Sequence, residues 1–519
     1  MDRGRTGVAG QERASDPSRP ADRLAVIDIG SNTARCVVFE AAGGTVRAIY
    51  ETKDVPRLGS AVRAEAMLSE AAVERGLATV RRFARAIREL EVAKTIAVAT
   101  SAVRDAANGP DFVRAAERGT GISLRVLTGA EEARYGYLGV ASAMELSDDL
   151  VLDLGGGSLQ LVRVLSSALR NSVSLPLGVL RLTERFFEHD PPKRREWDDL
   201  RAHVRTSVTS ALEAFGARPS RVIGIGGTVR SLARAAIEMR VYPVRRVHGY
   251  PLTDHDIEAL NEILGEMPAT KRRAIPGIGN DRSDVILAGI VVLEEVLHAA
   301  GADRMAVSGT GIREGLAVEA IDAELPAAAE VLAERSTVAA ARSFAFPLEH
   351  GREVAEFAQQ LFELLAPRFG AGRSESLALR VAAWMHDAGV AVDLWNHAHH
   401  SAYLVENYPI WGLDQREVLL AAMTTYLHEG GDPPDEWKKG YLPIIRPTDL
   451  AAAVRLGAIL DVAEILAPAR PTVSLAAGGR TLALAFSAPT DTTLSPRWVE
   501  KVRKPMERAF GLEVRARDA

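Results

Sequence analysis

One sequence pattern, an Asp-x-Gly turn between two apolar runs, occurs twice in the chain, about 125 residues apart. The first copy is Asp28-Ile29-Gly30-Ser31-Asn32-Thr33 and the second is Asp153-Leu154-Gly155-Gly156-Gly157-Ser158. Each copy predicts a strand, a tight turn and a second strand, over 24–39 and 150–164. Because the same unit is repeated, we expect a duplicated lobe whose two turns face one ligand.

The rest of the pattern places these hairpins in an α/β fold. Apolar residues at helical spacing predict a helix over 69–90, and short apolar runs predict strands such as 221–225. This alternation of strands and helices continues to about residue 325 and is typical of α/β domains. Ala-, Leu- and Glu-rich helical stretches follow to about residue 466, and the last fifty residues predict a small α+β unit.

Glycine-rich turns at strand ends suit phosphate, because the main chain can approach the oxygens without a Cβ in the way. Two further loops of this kind stand where a strand meets a helix, at 226–228 and 308–311, and helix N-termini attract anions. The acids Asp28 and Asp153 are placed to orient a divalent cation or a water. The candidate phosphate-binding residues are Gly30, Ser31, Asn32, Thr33, Gly155, Gly156, Gly157, Ser158, Gly226, Gly227, Thr228 and Gly309.

Charge and composition exclude several classes of partner. The net charge of −5 provides no basic field for nucleic acid. No apolar run reaches the ~18–20 residues that span a bilayer, so no membrane partner is expected. The single cysteine, Cys36, fits a reducing cytoplasm, and 1–22 is predicted to be a disordered tail and not a signal peptide.

Several motifs in the same order resemble the exopolyphosphatase/guanosine pentaphosphate phosphatase family of the acetate kinase/sugar kinase/heat-shock protein/actin superfamily. They are the two Asp-x-Gly turns, Ala99-Thr100-Ser101-Ala102-Val103-Arg104, Thr128-Gly129-Ala130-Glu131-Glu132-Ala133-Arg134, Gly224-Ile225-Gly226-Gly227-Thr228 and Ser308-Gly309-Thr310-Gly311-Ile312-Arg313. The resemblance implies two actin-like lobes, which we expect at 23–140 and 141–325.

The resemblance also implies an activity and residue roles. The reaction would be hydrolysis of a terminal phosphoanhydride, with inorganic polyphosphate or guanosine pentaphosphate (pppGpp) as substrate, orthophosphate as product and Mg²⁺ as cofactor. Glu132 falls on the carboxylate that activates the attacking water, and Arg104 on an arginine that contacts phosphate. Asp28 and Asp153 fall on the metal-associated acids. Lys53 and Arg57 either line the substrate path or are a solvated pair.

One position departs from the family pattern. The second loop usually ends in Glu, and here that position is Gln160. A neutral amide is a poorer ligand for Mg²⁺ than a carboxylate and cannot act as a base. Activity could survive through the three remaining acids, or the chain could be a weakly active or non-catalytic binder of polyphosphate or alarmone.

The helical part, expected at 326–468, resembles an HD-type metal-dependent phosphohydrolase domain in degenerate form, and a small unit is expected at 469–519. His386 and Asp387 are adjacent, and the late acidic position is Glu464. Two readings stay open, an inactive scaffold that binds a polyanion or forms a homodimer interface, and a working metal site. The other histidines of this part are His350, His397, His399, His400 and His428.

Overall fold

The computed structural model describes residues 23–42, 44–60, 67–216, 218–326, 328–469, 471–476, 479–485 and 494–517. The predicted tail at 1–22 lies outside these residues. Among the described helices, none is long and apolar enough to cross a bilayer.

The first lobe is built on a five-stranded sheet with the order β3-β2-β1-β4-β5. Its strands are β1 Arg23–Ile29, β2 Ala34–Ala42, β3 Thr45–Asp54, β4 Lys94–Ala99 and β5 Leu124–Val126. Its helices are α1 Glu70–Glu89, α2 Ser101–Asp105, α3 Gly109–Thr120 and α4 Gly129–Ala141. The predicted helix at 69–90 is confirmed, with Ser69 as the N-cap residue that accepts a hydrogen bond from the Ala72 amide.

The second lobe is built on a six-stranded sheet with the order β10-β11-β9-β6-β7-β8. Its strands are β6 Asp148–Leu154, β7 Leu159–Leu165, β8 Ala168–Leu175, β9 Arg221–Ile225, β10 Pro251–Thr253 and β11 Arg304–Val307. The helices are α5 Val179–Phe186, α6 Arg194–Phe215, α7 Gly227–Met239, α8 Asp254–Gly265, α9 Ala269–Arg272, α10 Ile286–Ala300 and α11 Ile312–Ala320. Most of α10 is apolar all round and fully buried, as expected of a helix at the centre of a core.

Helix α11 crosses between the lobes. It follows the last strand of the second sheet, but Leu316 and Ala317 pack against Leu24 and Val26 of β1 and against Tyr135 of α4. Gly315 permits this contact, because a Cβ there would lie 2.9 Å from the Gly139 amide nitrogen. The two lobes are therefore held together at the base of the cleft that separates their turns.

The remaining described residues form a helical region with a small three-stranded sheet, as predicted. The helices are α12 Ala329–Ser343, α13 Leu348–Leu365, α14 Arg373–Met385, α15 His397–Asn407, α16 Gln415–Tyr426, α17 Asp435–Gly440, α18 Pro447–Leu466 and α19 Leu494–Phe510. Short 3₁₀ turns lie at Ala366–Arg368, Ala388–Ala391 and Leu427–Glu429. The sheet has the order β12-β13-β14, over Thr472–Leu475, Thr481–Ala485 and Glu513–Arg517.

Candidate active site

The two Asp-x-Gly turns have the same backbone geometry. In the first, the Gly30 amide donates to the Thr33 carbonyl at 3.0 Å, and in the second the Gly155 amide donates to the Ser158 carbonyl at 3.0 Å. Each aspartate is the second-last residue of its strand, with Asp28 paired to Arg35 and Asp153 paired to Gln160. The repeated pattern therefore folds into two equivalent hairpins.

The turns meet across the cleft. A Cβ on Gly156 would lie 3.0 Å from the Asn32 amide nitrogen, and one on Gly157 would lie 2.5 Å from Ser31 Oγ. Ser31 Oγ also lies 2.8 Å from Ser101 Oγ at the start of α2. A Cβ at either position would crowd the first turn, so the two glycines allow this close approach.

Helix α4 directs two adjacent glutamates to different places. Thr128 caps the helix, and the Glu131 carboxylate accepts from the Thr128 amide at 2.8 Å and from its hydroxyl at 2.9 Å. This capping box holds Glu131 at the half-exposed start of the helix. Glu132 is 4% exposed and lines the cleft. Burial raises the pKa of Glu132 to about 7, with Arg104 opposing the rise and Asp153 and Asp28 adding to it.

Arg104 contacts Glu132 and is outside the cleft lining. Its Nη1 donates to a carboxylate oxygen of Glu132 and to the Leu127 carbonyl, the latter at 2.9 Å. The resemblance implied a phosphate contact for this arginine. In this structure its partner is the glutamate, so it orients that carboxylate and keeps it partly ionised.

Gln160 donates hydrogen bonds at a position where the ionised Glu of other family members would accept them. Its Nε2 lies 3.3 Å from Glu132 Oε2, 2.9 Å from Ser158 Oγ and 3.0 Å from Ser174 Oγ. This amide nitrogen is a second hydrogen-bond donor to Glu132. The metal role of Gln160 stays a prediction.

Asp28 and Asp153 face the same space from the two lobes. Burial raises the pKa of Asp153 to about 6, with Arg230 opposing and Asp28 reinforcing the rise, and burial also raises the pKa of Asp28. Burial thus disfavours the ionised form of both carboxylates, although arginines lie nearby. Asn32 Oδ1 is buried beside them without a hydrogen-bond partner.

This set of oxygen atoms fits a hard divalent cation. Mg²⁺ prefers one or two carboxylates supplemented by neutral oxygens and waters. Asp28 and Asp153 supply the carboxylates, and the unpartnered Oδ1 of Asn32 supplies a neutral acceptor. No histidine or cysteine belongs to the described cleft lining, which disfavours the softer transition metals.

The third and fourth loops contribute unequally. Gly226 has φ +96°, and a Cβ there would lie 2.7 Å from the Leu154 carbonyl oxygen, so glycine is required where α7 starts. Gly226 and Gly227 line the cleft, whereas Thr228 is buried behind them and accepts from Arg282 Nη1 at 3.2 Å. The fourth loop reaches the cleft through residues 311–313. Gly309 is outside the lining, and its amide donates to His248 Nδ1 at 3.1 Å.

Four arginines that were not among the predicted site residues line the cleft. Arg230 lies on α7, Arg313 on α11 and Arg282 ahead of α10, and Arg35 stands opposite Asp28. Burial lowers the pKa of Arg230 to about 9, and repulsion from Arg313 adds to the fall. Guanidinium groups bind two phosphate oxygens at once. A polyanion would relieve this repulsion, so the walls are complementary to phosphate.

Lys53 and Arg57 are engaged in ion pairs away from the lining. Lys53 pairs with Asp281, and Arg57 Nη2 lies 3.1 Å from Asp284 Oδ1. The Asp281 carbonyl also accepts from Asn32 Nδ2 at 2.9 Å. These contacts join β3 and the loop after it to the segment before α10. The two residues therefore connect the first lobe to the second.

The cleft brings together most of the predicted residues. Its lining contains Asp28, Gly30, Ser31, Asn32, Thr33, Glu132, Asp153, Gly155, Gly156, Ser158, Gln160, Gly226 and Gly227. Thr100 and Ser101 also line it, whereas Arg104, Gly157, Thr228 and Gly309 are outside the lining.

Two family models and a curated relative match this chain. A model of the Ppx/GppA phosphatase family matches residues 37–324, and a model of domain III of the same family matches 332–492. Exopolyphosphatase 1 of Mycobacterium tuberculosis is 32% identical over 326 residues, which cover 61% of this chain and 92% of the relative.

Two solved structures share the fold of the lobes. A Ppx/GppA family member from Aquifex aeolicus is 32% identical with a TM-score of 0.50, over 58% of this chain and 97% of that chain. An exopolyphosphatase from Cytophaga hutchinsonii is 27% identical with a TM-score of 0.55, over 58% of this chain and 98% of that chain. The resemblance seen in the motifs is confirmed, and the chain belongs to the Ppx/GppA phosphatase family.

Proposed function

We propose that this protein hydrolyses the terminal phosphoanhydride bond of inorganic polyphosphate and releases orthophosphate. The observation that carries the proposal is the position of Glu132. Its carboxylate is buried, has a pKa raised to about 7 and faces the two glycine turns, Asp28 and Asp153 across a cleft walled by arginines. The relatives named exopolyphosphatase support polyphosphate as the substrate.

The chain's own residues supply binding and proton transfer. The glycine turns and the side chains of Arg230 and Arg313 would surround the oxygens of the terminal phosphates. Glu132 would accept a proton from a water as its oxygen attacks the terminal phosphorus in line. The bond to the bridging oxygen then breaks, giving orthophosphate and a chain shorter by one phosphate. A pKa near the working pH suits this general base.

Asp28 and Asp153 are the residues that would hold the cation, and we propose Mg²⁺. A divalent cation there would neutralise phosphate charge as it shifts to the leaving oxygen. Arg104 and Gln160 would keep the Glu132 carboxylate directed at the water.

Hydrolysis of pppGpp uses the same chemistry and differs in the need to recognise a base. Among the described residues that line the cleft, none is Phe, Tyr or Trp, so no aromatic platform for guanine is present there. Polyphosphate is therefore favoured. The non-catalytic alternative loses its basis in Gln160, because this residue supports Glu132 and leaves both aspartates free to bind the cation.

The proposal is tested by phosphate release from long-chain polyphosphate and from pppGpp, each with Mg²⁺ and with a chelator. We expect Mg²⁺-dependent release that is faster from polyphosphate. Tight polyphosphate binding with no release in Mg²⁺ would establish the binder instead, and preferential turnover of pppGpp would assign the chain to the nucleotide.

The oligomeric state and the cellular location stay predictions, a homodimer in the cytoplasm. Light scattering on the purified chain and fractionation of the producing cell test them separately from the activity.

A further inference from the structure

The positive charge of the cleft continues outward along α7. Gly227 begins this helix at the cleft, and Arg230, partly buried, lines the cleft one turn later. Arg234 follows after another turn, about 6 Å further along the helix axis, and is exposed. The cationic wall of the second lobe therefore reaches from the interior of the cleft to the protein surface.

Arg35 faces this wall from the first lobe. It is the cross-strand partner of Asp28, so the two side chains lie on the same face of the sheet, one strand apart. Burial lowers the pKa of Arg234 and of Arg282, and the charge of Arg35 lowers both further, which places it close to each of them. We call these three residues the arginine path, because it leads from the buried Arg282 through the half-buried Arg35 to the exposed Arg234.

A carboxylate, that of Glu51 on β3, stands among these cations. It forms an ion pair with Arg35, and its Oε1 lies 3.7 Å from Arg313 Nη1. Although burial opposes the change, Arg313 and Arg35 hold the pKa of Glu51 below its usual value, so the group is ionised at neutral pH. Glu51 thus contacts the cations that a phosphate oxygen would contact, and an anion bound there would compete with it.

We propose, on the basis of the proposed function, that the arginine path binds the phosphates that follow the terminal ones and makes the protein select long-chain polyphosphate over tripolyphosphate. Arg35 and Arg234 are the specificity residues, and Glu51 is a resident counter-ion that the substrate chain displaces. Contacts with a part of the substrate remote from the reacting bond increase kcat/KM for the substrate that can make them. A substrate of three phosphates lacks the groups that reach the path.

Removing an arginine of the path and removing its counter-ion should have opposite effects. Arg35→Met takes away a cation and should weaken the binding of long-chain polyphosphate about tenfold, as expected for a lost charged contact. Glu51→Gln takes away the competing anion and should tighten that binding about threefold. A purely structural ion pair predicts the same direction for both variants, because either change breaks it.

Binding is measured by isothermal titration calorimetry with a chelator present, which prevents Mg²⁺-dependent turnover. The titrants are long-chain polyphosphate, counted as chains, and tripolyphosphate. The wild-type protein should bind the long chain about tenfold more tightly, or better. This ratio of affinities should fall about tenfold in Arg35→Met and rise about threefold in Glu51→Gln.

The matched controls are Arg47→Met and Glu40→Gln. Glu40 and Arg47 are cross-strand partners on the same two strands and form an ion pair outside the cleft lining. Both controls should keep the wild-type ratio of affinities. Thermal unfolding checks that every variant is folded. If Arg35→Met does not fold, Arg234→Met at the exposed end of the path takes its place, with the same expected fall in the ratio.

Three outcomes would overturn the path: a wild-type protein without preference for the longer substrate, an unchanged ratio in Arg35→Met, or weaker binding of the long chain in Glu51→Gln. These outcomes are distinct from failure of the proposed function, which is read from orthophosphate release in Mg²⁺. The expected affinity ratios without any release would support the path and refute hydrolysis.

Discussion

Glu131 and Glu132 are adjacent in the chain, and helix geometry separates what they do. Glu131 closes the capping box with Thr128, and Glu132, about 100° further round the helix, enters the cleft. Arg104 and Gln160 then hold the Glu132 carboxylate from two sides. Its raised pKa, near 7, follows from this burial and makes it suitable as a general base.

Gln160→Glu should shift the pH dependence of the reaction. The new carboxylate would lie against Glu132, where Gln160 Nε2 is now 3.3 Å away, and like charges this close raise a carboxyl pKa. Because a general base works only when deprotonated, the acidic limb of the kcat/KM profile should move to higher pH by about 1 unit. The pH profile of phosphate release measures this.

Ser174→Ala is the matched control for that shift, since it removes a neighbour of Gln160 without adding charge. An acidic limb that stays in place in Gln160→Glu would show that Glu132 is not the group that titrates. A large gain in turnover at high pH would show that glutamine limits the natural enzyme.

The sequence predicted the carboxylates of the cleft better than its arginines. Asp28 and Asp153 are each marked by a glycine two residues further along, which is a local pattern. Arg230, Arg282 and Arg313 come from separate segments and meet only after folding. No local pattern distinguishes them from the many surface arginines of the chain. Arg313 belongs to the Ser308–Arg313 motif, but the sequence of that motif does not indicate that the residue is buried.

The hairpins are the elements on which the site depends. Their identical turn hydrogen bonds follow from the repeated Asp-x-Gly pattern, which is why both could be predicted. The strands that no prediction covered are β3, β8, β10 and β12. In β3 and β8 most residues are partly exposed, and they form edges of their sheets, so the sequence there lacks the apolar run that marks a buried strand.

Gly157→Ala should force the two turns apart. A Cβ there would lie 2.5 Å from Ser31 Oγ and close to Ser101, both buried. We expect a loss of about 1–3 kcal/mol in unfolding free energy and a fall of at least tenfold in kcat/KM, because overpacking displaces the loops that align the substrate. Denaturant unfolding and phosphate release measure the two effects.

The control for this change is Gly119→Ala on α3, where the added Cβ would be 3.7 Å from Arg81 Nε, an ordinary contact. It should be as active as the wild-type protein. Wild-type kinetics in Gly157→Ala would contradict the close approach of the turns.

Across the whole molecule, the helical region is attached to the second lobe next to the fourth loop. Gln415 Nε2 donates to the Arg246 carbonyl at 2.8 Å and to the His248 carbonyl at 3.3 Å, and Trp411 packs on the His248 ring. His248 in turn accepts from the Gly309 amide. A chain of contacts therefore leads from α16 to the fourth loop, which directly precedes α11 and its Arg313.

Gln415→Ala should weaken this attachment. It leaves two carbonyls without a donor in a buried interface, which costs about 1–3 kcal/mol. We expect a lower Tm and a higher KM for polyphosphate with little change in kcat, because the loop is loosened and the base is untouched. Gln359→Ala, within the helical region on α13, should leave KM unaltered. Equal KM values for both variants would mean that the interface does not support the site.

Glu132 is the proposed base that activates water, and turnover of its amide variant tests this role. The rate of orthophosphate release from saturating polyphosphate with Mg²⁺ is compared for the wild-type protein, Glu132→Gln and Glu131→Gln. Glu132→Gln should lower kcat by about 10²–10⁴-fold with polyphosphate binding retained. Glu131→Gln should keep kcat and lose only helix-capping stability. Unchanged turnover in Glu132→Gln would contradict the role of Glu132 as the general base.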